Sequence, residues 1–211
     1  KASCTSGHDT PMGIIRSHRQ AIVSALATFA LAVGLTGCAT TSTSTADPST
    51  SPSSSAPPPI PATPTAPLAA AAWAALMGPD GEYAAAASYT AVLDAFGQVE
   101  PYATIQAAEQ RHIDALTRQL QRLGVTPPPN PYLGRVAAPA TLAAAAQAWA
   151  DGEVANVALY DTLLAAVSGD PGLTRVFTNL RRASADMHLP AFRAAAASGG
   201  ALTAAQLTEL G

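Results

Sequence analysis

Apolar residues recur at helical spacing between Pro101 and Gly124. The positions that share one face of such a helix are Ile105, Ala108, His112, Ala115, Leu116 and Leu120. Proline is common at the first position of a helix, and glycine is common just beyond its end. The pattern therefore predicts a helix over residues 101–124.

Three further segments are rich in alanine, poor in β-branched residues and bounded by glycine or proline. They cover residues 80–96, 140–167 and 171–200, and an earlier stretch, 68–77, is separated from the first of them by a Gly-Pro pair. Alanine has the highest helix propensity, and no segment alternates as a strand does. We predict an all-α fold, an antiparallel four-helix bundle with up-down-up-down connections. Pro190 should kink its fourth helix, because proline removes a backbone hydrogen bond.

The N-terminal segment has the pattern of an export signal. An apolar stretch over residues 20–37 follows Arg16 and Arg19, and a basic region before a short apolar one is typical of a signal peptide. The stretch ends in the run Leu-Thr-Gly-Cys at 35–38, which resembles the lipobox of bacterial lipoproteins. We expect a signal peptide over residues 1–37, in which 1–11 is an upstream extension. A plain signal peptide and a membrane anchor are the alternatives, although the stretch is short for a bilayer span.

The lipobox resemblance implies a location and a domain order. A lipid on Cys38 would anchor the protein to the cell membrane on its extracytoplasmic face, since a diacylglyceryl cysteine holds stably. Residues 38–67 are rich in Ser, Thr and Pro, a composition typical of a disordered tether. The bundle is expected over residues 68–200, which is a usual size for one domain, and 201–211 would form a C-terminal tail.

Charge and cysteine content exclude two kinds of site. The chain has 11 basic and 14 acidic side chains and a net charge of −3. Without residues 1–37 it keeps 8 arginines, no lysine and a net charge of −5. No basic stripe is present, so nucleic acid is not an expected partner. Cys38 is the only cysteine beyond residue 37, so neither an internal disulfide nor a thiolate metal site is expected.

The candidate chemistry lies in a few polar residues near the middle of the predicted helices. Glu109 and His112 form a Glu-x-x-His pair, whose side chains share one helix face. Four-helix bundles that bind two metals carry this pair and take further glutamates from neighbouring helices. At about 1.5 Å per residue, one layer of the bundle would contain Glu82, Glu109, His112, Glu153 and His188. Buried carboxylates need compensation, so we predict that this layer binds a divalent metal.

Each of these residues also has an ordinary structural interpretation. Glu-x-x-His pairs are common on solvated faces, and His188 would be unexceptional as a hydrogen-bonded core histidine. Glu82 suits the first turn of a helix because of the helix dipole. The coincidence of all five at one height favours the metal interpretation. Tyr89, Tyr160 and Ser184 are candidates for contacts that orient the ligands, with core packing as the alternative for the tyrosines.

The residues around this pair resemble a ferritin-like family known as domain of unknown function 2202. The resemblance is most specific over residues 109–116, with Tyr102 and Ile105 before them, and looser elsewhere. The looser matches are Glu82 with Tyr89, Glu153 with Val157, Asn179-Leu180, Ser184 and residues 188–192. Together they span about residues 76–195. The resemblance implies a ferritin-like fold with a metal site and no established activity.

The chain departs from that pattern at points that bear on the metal. Ala84 to Ala87 replace charged residues in the first helix, and Ala185 stands where a symmetric di-iron site would have a glutamate three residues before His188. Asp186 is only two residues away and would face elsewhere. We therefore expect one ion, or an asymmetric pair of ions.

The ligand set leaves several functions open. Carboxylate and imidazole ligands favour Fe or Mn, and Zn is also compatible. A redox-active site would act on oxygen or peroxide, as an oxidoreductase of ferritin-like or rubrerythrin-like type. The alternatives are metal sequestration without turnover and a structural interaction module with a vestigial site. The sequence names no catalytic residue and leaves the oligomeric state open.

Overall fold

The computed structural model describes residues 62–210. The expected signal peptide, Cys38 and most of the tether lie outside the described residues. The helices are α1 (Pro67–Met77), α2 (Glu82–Phe96), α3 (Tyr102–Arg122), α4 (Leu142–Ala166), α5 (Pro171–Ala183), α6 (Leu189–Ala197) and α7 (Ala204–Thr208), with a π turn (Ser184–His188) between α5 and α6. No strand occurs within 62–210, and no helix there is both long and apolar enough to cross a bilayer. The all-α prediction is confirmed.

Local sequence explains the helix ends. Thr141 accepts a hydrogen bond from the N–H of Ala144 at the start of α4, and Asp170 does the same for Leu173 at the start of α5. Such side-chain caps satisfy N–H groups that the first turn leaves free. Gly97 ends α2 at a φ of 83°, a backbone conformation that favours glycine.

The stretch 68–77 forms a separate helix, α1, rather than the beginning of α2. The turn between them folds back on the end of α1. A Cβ at Gly81 would lie 2.4 Å from the carbonyl oxygen of Ala75, so only glycine fits this approach. The close packing fixes the start of α2, and with it the position of Glu82.

Helices α2, α3, α4 and the composite α5–π–α6 form the four-helix bundle. Tyr89 pairs with Glu153 while Glu82 pairs with Tyr160, so α2 and α4 run antiparallel. α2 and α3 are also antiparallel, because they are joined by the short loop 97–101. α3 and α4 therefore run parallel, and the predicted up-down-up-down connection is wrong. The long proline-containing loop 123–141 makes this crossover possible, as in other bundles with one long connection.

Two apolar clusters fill the bundle on either side of its middle. One cluster includes Ile113, Leu116, Leu120, Leu163, Phe177 and Leu180. The other includes Tyr89, Val92, Tyr102, Ile105 and Phe192. Along α3, Glu109 falls between Ile105 and Ile113, so the predicted polar layer lies between the two clusters.

The fourth helix departs from regular α geometry close to Pro190, where the sequence predicts a kink, by forming a π turn. Pro190 is the second residue of α6 and has no N–H for a helical bond. The preceding turn is closed instead by a bond from the N–H of Leu189 to the carbonyl of Ser184. This wider turn ends at His188.

The C-terminal segment 201–210 packs on the bundle. The N–H of Leu202 donates to the carbonyl of Glu100 at 2.8 Å, and Leu202 is buried beside Ala146 and Ala195. A capping box of Thr203 and Gln206 begins the short helix α7.

Candidate metal centre

Four helical segments bring the five predicted residues together. Glu82 is the first residue of α2, Glu109 and His112 lie on α3, Glu153 is near the middle of α4, and His188 ends the π turn. The side chains of the three glutamates and of His188 are all at most 5% exposed, whereas the His112 side chain is 14% exposed. The site is therefore enclosed, and His112 is its most accessible member.

Glu109 stands between the two histidines. Its Oε2 lies 3.1 Å from Nδ1 of His112, and its Oε1 lies 3.2 Å from Nδ1 of His188. Each histidine also faces a second carboxylate. Nδ1 of His112 lies 3.3 Å from Oε2 of Glu82, and Nδ1 of His188 lies 3.5 Å from Oε1 of Glu153. The two imidazole rings stack with centroids 5.7 Å apart.

These distances define two overlapping groups of ligand atoms. One group contains Glu82, Glu109 and His112, and the other contains Glu109, Glu153 and His188. Within each group the ligand atoms lie within 4.8 Å of one another, close enough to hold one metal ion. Glu109 belongs to both groups and offers a different oxygen to each.

Two tyrosines bind the outer carboxylates. Tyr89 on α2 donates a hydrogen bond of 2.7 Å to Glu153 on α4, and Tyr160 on α4 donates to Glu82 on α2. Both tyrosines are fully buried. In each helix the tyrosine follows the glutamate by two turns, a Glu-x6-Tyr spacing that places both on one face. Sequence reasoning missed this repeated spacing, which is the signal that pairs the two helices.

Ser184 does not contact the five residues through a hydrogen bond. Its hydroxyl donates to the side-chain oxygen of Asn156 at 2.8 Å, and the amide of Asn156 donates to the carbonyl of Asp80 at 3.1 Å. Asn156, which the sequence did not single out, thus ties α4 and the π turn to the segment just before Glu82.

The buried carboxylates and imidazoles of the site share protons at the positions where a cation would bind. Burial, together with the neighbouring Glu109, raises the pKa of Glu82 from 4.5 to about 8. Burial opposes the charge on Glu109 as well, but a hydrogen bond from Glu82 and the close imidazoles of His112 and His188 hold its pKa well below the usual range.

Both histidines are pushed towards the charged form. Burial lowers the pKa of His112, but its bonds to Glu109 and Glu82 outweigh this and raise it from 6.5 to about 10. Burial also lowers the pKa of His188, but the negative charges of the nearby Glu109 and Glu153 outweigh this and raise it from 6.5 to about 9. Cation binding at neutral pH must therefore displace protons, because histidine ligates metals in its neutral form.

One buried atom of the site has no hydrogen-bond partner. Among residues 62–210, Nδ1 of His188 is the one buried side-chain nitrogen or oxygen that lacks a hydrogen-bond partner. It lies near oxygens of both Glu109 and Glu153, but neither contact has hydrogen-bond geometry. Buried polar atoms are nearly always satisfied, and a cation between these three residues would satisfy this one. The residues present therefore fit a metal ion.

Comparison with known proteins defines the class of fold. The chain is similar to the X-ray structure of bacterioferritin from Desulfovibrio desulfuricans, with a TM-score of 0.53 and 20% sequence identity over 68% of this chain and 85% of that chain. The ferritin-like fold is therefore confirmed. The bacterioferritin has a diiron site. No family model and no curated protein matches the sequence, so the resemblance to domain of unknown function 2202 stays a prediction.

Proposed function

We propose that this protein binds divalent metal ions in the middle of its bundle. The observation that carries the proposal is the unsatisfied Nδ1 of His188, which lies between two buried carboxylates. The ligands would be Glu82, Glu109, His112, Glu153 and His188. Glu109 would serve both groups, so the site has room for one or two ions.

The donor set narrows the choice of metal. Oxygen and imidazole ligands without thiolate suit Fe(II) or Mn(II), and Zn(II) is compatible. Iron or manganese would supply redox chemistry with oxygen or peroxide. The diiron site of the structurally similar bacterioferritin supports this extension of the proposal. The protein residues would hold the ion, exclude water through the flanking apolar clusters, and orient the outer carboxylates through Tyr89 and Tyr160.

Sequestration of metal without turnover is the second candidate. It is supported by the carboxylate count, since the site has three carboxylates, whereas two-metal bundles of the ferritin-like class use four. With three carboxylates instead of four, part of the positive charge of two divalent ions stays uncompensated. Redox turnover with two ions would be slow or absent on this interpretation.

Export and anchoring at the membrane form a separate part of the proposal. The apolar stretch before Cys38 and the tether after it support a lipoprotein on the extracytoplasmic face. The metal centre would then lie outside the cytoplasm, in reach of metal ions that arrive from outside.

The metal proposal is tested by elemental analysis of the purified protein after incubation with Mn(II), Fe(II) or Zn(II). The variant Glu109→Gln keeps the side-chain shape and removes the charge that both groups share, so we expect it to lose most of its metal. Glu209→Gln, an exposed glutamate of the C-terminal segment, is the matched control and should bind like wild type. Equal metal in wild type and Glu109→Gln, or no uptake by wild type, would refute the proposal.

A further inference from the structure

The turn that carries His188 differs from the turn that carries His112. α3 is α-helical through Glu109 and His112. Ser184–His188 is a π turn, a rare form that often occurs at functional sites. Because a π turn holds more residues than an α turn, the side chain that shares a face with His188 is Ser184, four residues earlier, rather than Ala185.

Burial supports this register. Ser184 and His188 are each 4% exposed. Ala185 is only half-buried, Asp186 is exposed, and Met187 is 55% exposed. Burial therefore favours position 184 over position 185 as the one that faces the metal layer.

The neighbours of Ser184 show what this position does. Asn156 lies one turn after Glu153 on α4, and Ser184 lies one turn before His188 on the π turn. The two segments thus meet in two successive contacts, His188 with Glu153 and Ser184 with Asn156. The side-chain amide of Asn156 also donates a hydrogen bond to the carbonyl of Asp80, close to Glu82. The pair of Ser184 and Asn156 is neutral and buried next to the metal layer.

Charge limits how many cations the layer can hold tightly. A first divalent ion is attracted by three carboxylates. A second ion meets only the one negative charge that remains, and it leaves net positive charge in a buried layer, which is costly. A carboxylate at position 184 would compensate the second ion.

We propose that Ser184, paired with Asn156, is the residue that sets the metal capacity of this site, and that it limits the site to one tightly held divalent cation. This inference rests on the proposed function, since it concerns the same ligands. Ser184 limits the binding of a second ion because its side chain carries no negative charge. Its buried hydroxyl has a hydrogen-bond partner in Asn156.

The test is a titration of the purified full-length protein with Zn(II), which takes part in no redox step. We expect wild type to bind one zinc ion tightly and a second at least about tenfold more weakly. Ser184→Glu should tighten the second ion by about tenfold or more. Ser184→Gln, which has the same length without the charge, should not. Ser184→Asp, a smaller change, is measured beside them in case the longer side chain disturbs folding, and its second ion should also tighten.

Ala185→Glu is the control for register, and it should leave the second affinity unchanged because that side chain turns away from the layer. Tightening by Ala185→Glu but by neither acidic variant at 184 would overturn the assignment. Two zinc ions bound with equal affinity by wild type would overturn the limit itself while leaving the metal proposal intact. Absence of any zinc binding would overturn this inference, and the metal proposal itself would fail if Mn(II) and Fe(II) were not taken up either.

Discussion

The hydroxyl of Tyr89 donates a hydrogen bond of 2.7 Å to Oε1 of Glu153, which links α2 to α4 at the level of the metal layer. Tyr160 makes the reciprocal bond from α4 to Glu82 on α2. Each outer carboxylate thus has one oxygen held by a tyrosine of the facing helix. The pair of bonds also fixes the antiparallel direction of the two helices.

Removal of the Tyr89 hydroxyl should weaken metal binding. Tyr89→Phe keeps the ring in its stack with Phe192 but frees Glu153 to turn. Loss of a group that orients a ligand typically costs about 10- to 100-fold in metal affinity, and we expect a loss in this range by metal titration. Tyr102→Phe is the matched control, because that buried hydroxyl donates to the carbonyl of Leu142 instead. The same loss in both variants, or none in Tyr89→Phe, would contradict this role.

Metal affinity should rise steeply with pH above neutrality. The metal-free site holds protons on Glu82, His188 and His112, whose pKa values are raised to about 8, 9 and 10. A cation must displace these protons, so binding becomes easier as the pH rises through this window. Calorimetric titrations in buffers of different ionisation enthalpy measure the protons released. Affinity that does not change between about pH 6 and pH 9 would contradict this prediction.

The stability of the metal-free protein should fall as the pH rises, whereas the metal affinity should increase. The folded-state pKa values of His112 and His188 lie above the ordinary value of 6.5. Their contribution to the free energy of unfolding is therefore complete below pH 6.5 and is lost as the pH rises towards 9 and 10. Because the pKa of Glu82 is also raised, its contribution is lost between pH 4.5 and about pH 8. We expect the urea midpoint, measured with a chelator, to fall as the pH rises from about 6 to 10. Glu82→Gln should flatten this decline, and a midpoint that rises in wild type would refute the charge assignment.

Membrane attachment is expected to depend on Cys38. The run Leu35-Thr36-Gly37-Cys38 ends the apolar stretch, and a lipidated cysteine would hold the processed chain to the membrane. Cys38→Ser should release the protein or block its processing, as judged by membrane fractionation and by mass. Ser44→Ala, within the predicted tether, is the control. Full membrane retention of processed Cys38→Ser would show that the anchor lies elsewhere.

The sequence predicted the helices of this fold well but not their directions. The spacing over residues 101–124 predicted a helix, and α3 covers Tyr102–Arg122. Helical periodicity carries no information on whether neighbouring helices are parallel, so the direction of α4 was predicted wrongly. The loop 123–141 is the feature that decides it, because a long connection allows the chain to cross the bundle before α4 begins.

The candidate site was predictable where one helix positions its own residues. Helical spacing placed Glu109 beside His112, and the count from the helix ends placed Glu82, Glu153 and His188 at the same height, where the structure has them. Their role as ligands stays a prediction. The π turn was not predictable, because Pro190 indicates that a helical hydrogen bond is missing but not how the preceding turn closes. The register of Ser184, and its pairing with Asn156, followed from that turn.

The central claim is that a cation binds between His188 and the two carboxylates it faces. Diffraction from crystals of the protein soaked in Zn(II), recorded on either side of the zinc absorption edge, locates the ion directly. The account predicts an anomalous peak within bonding distance of Nδ1 of His188 and of oxygens from Glu109 and Glu153. No peak at this position, or zinc bound only elsewhere in the protein, would contradict it.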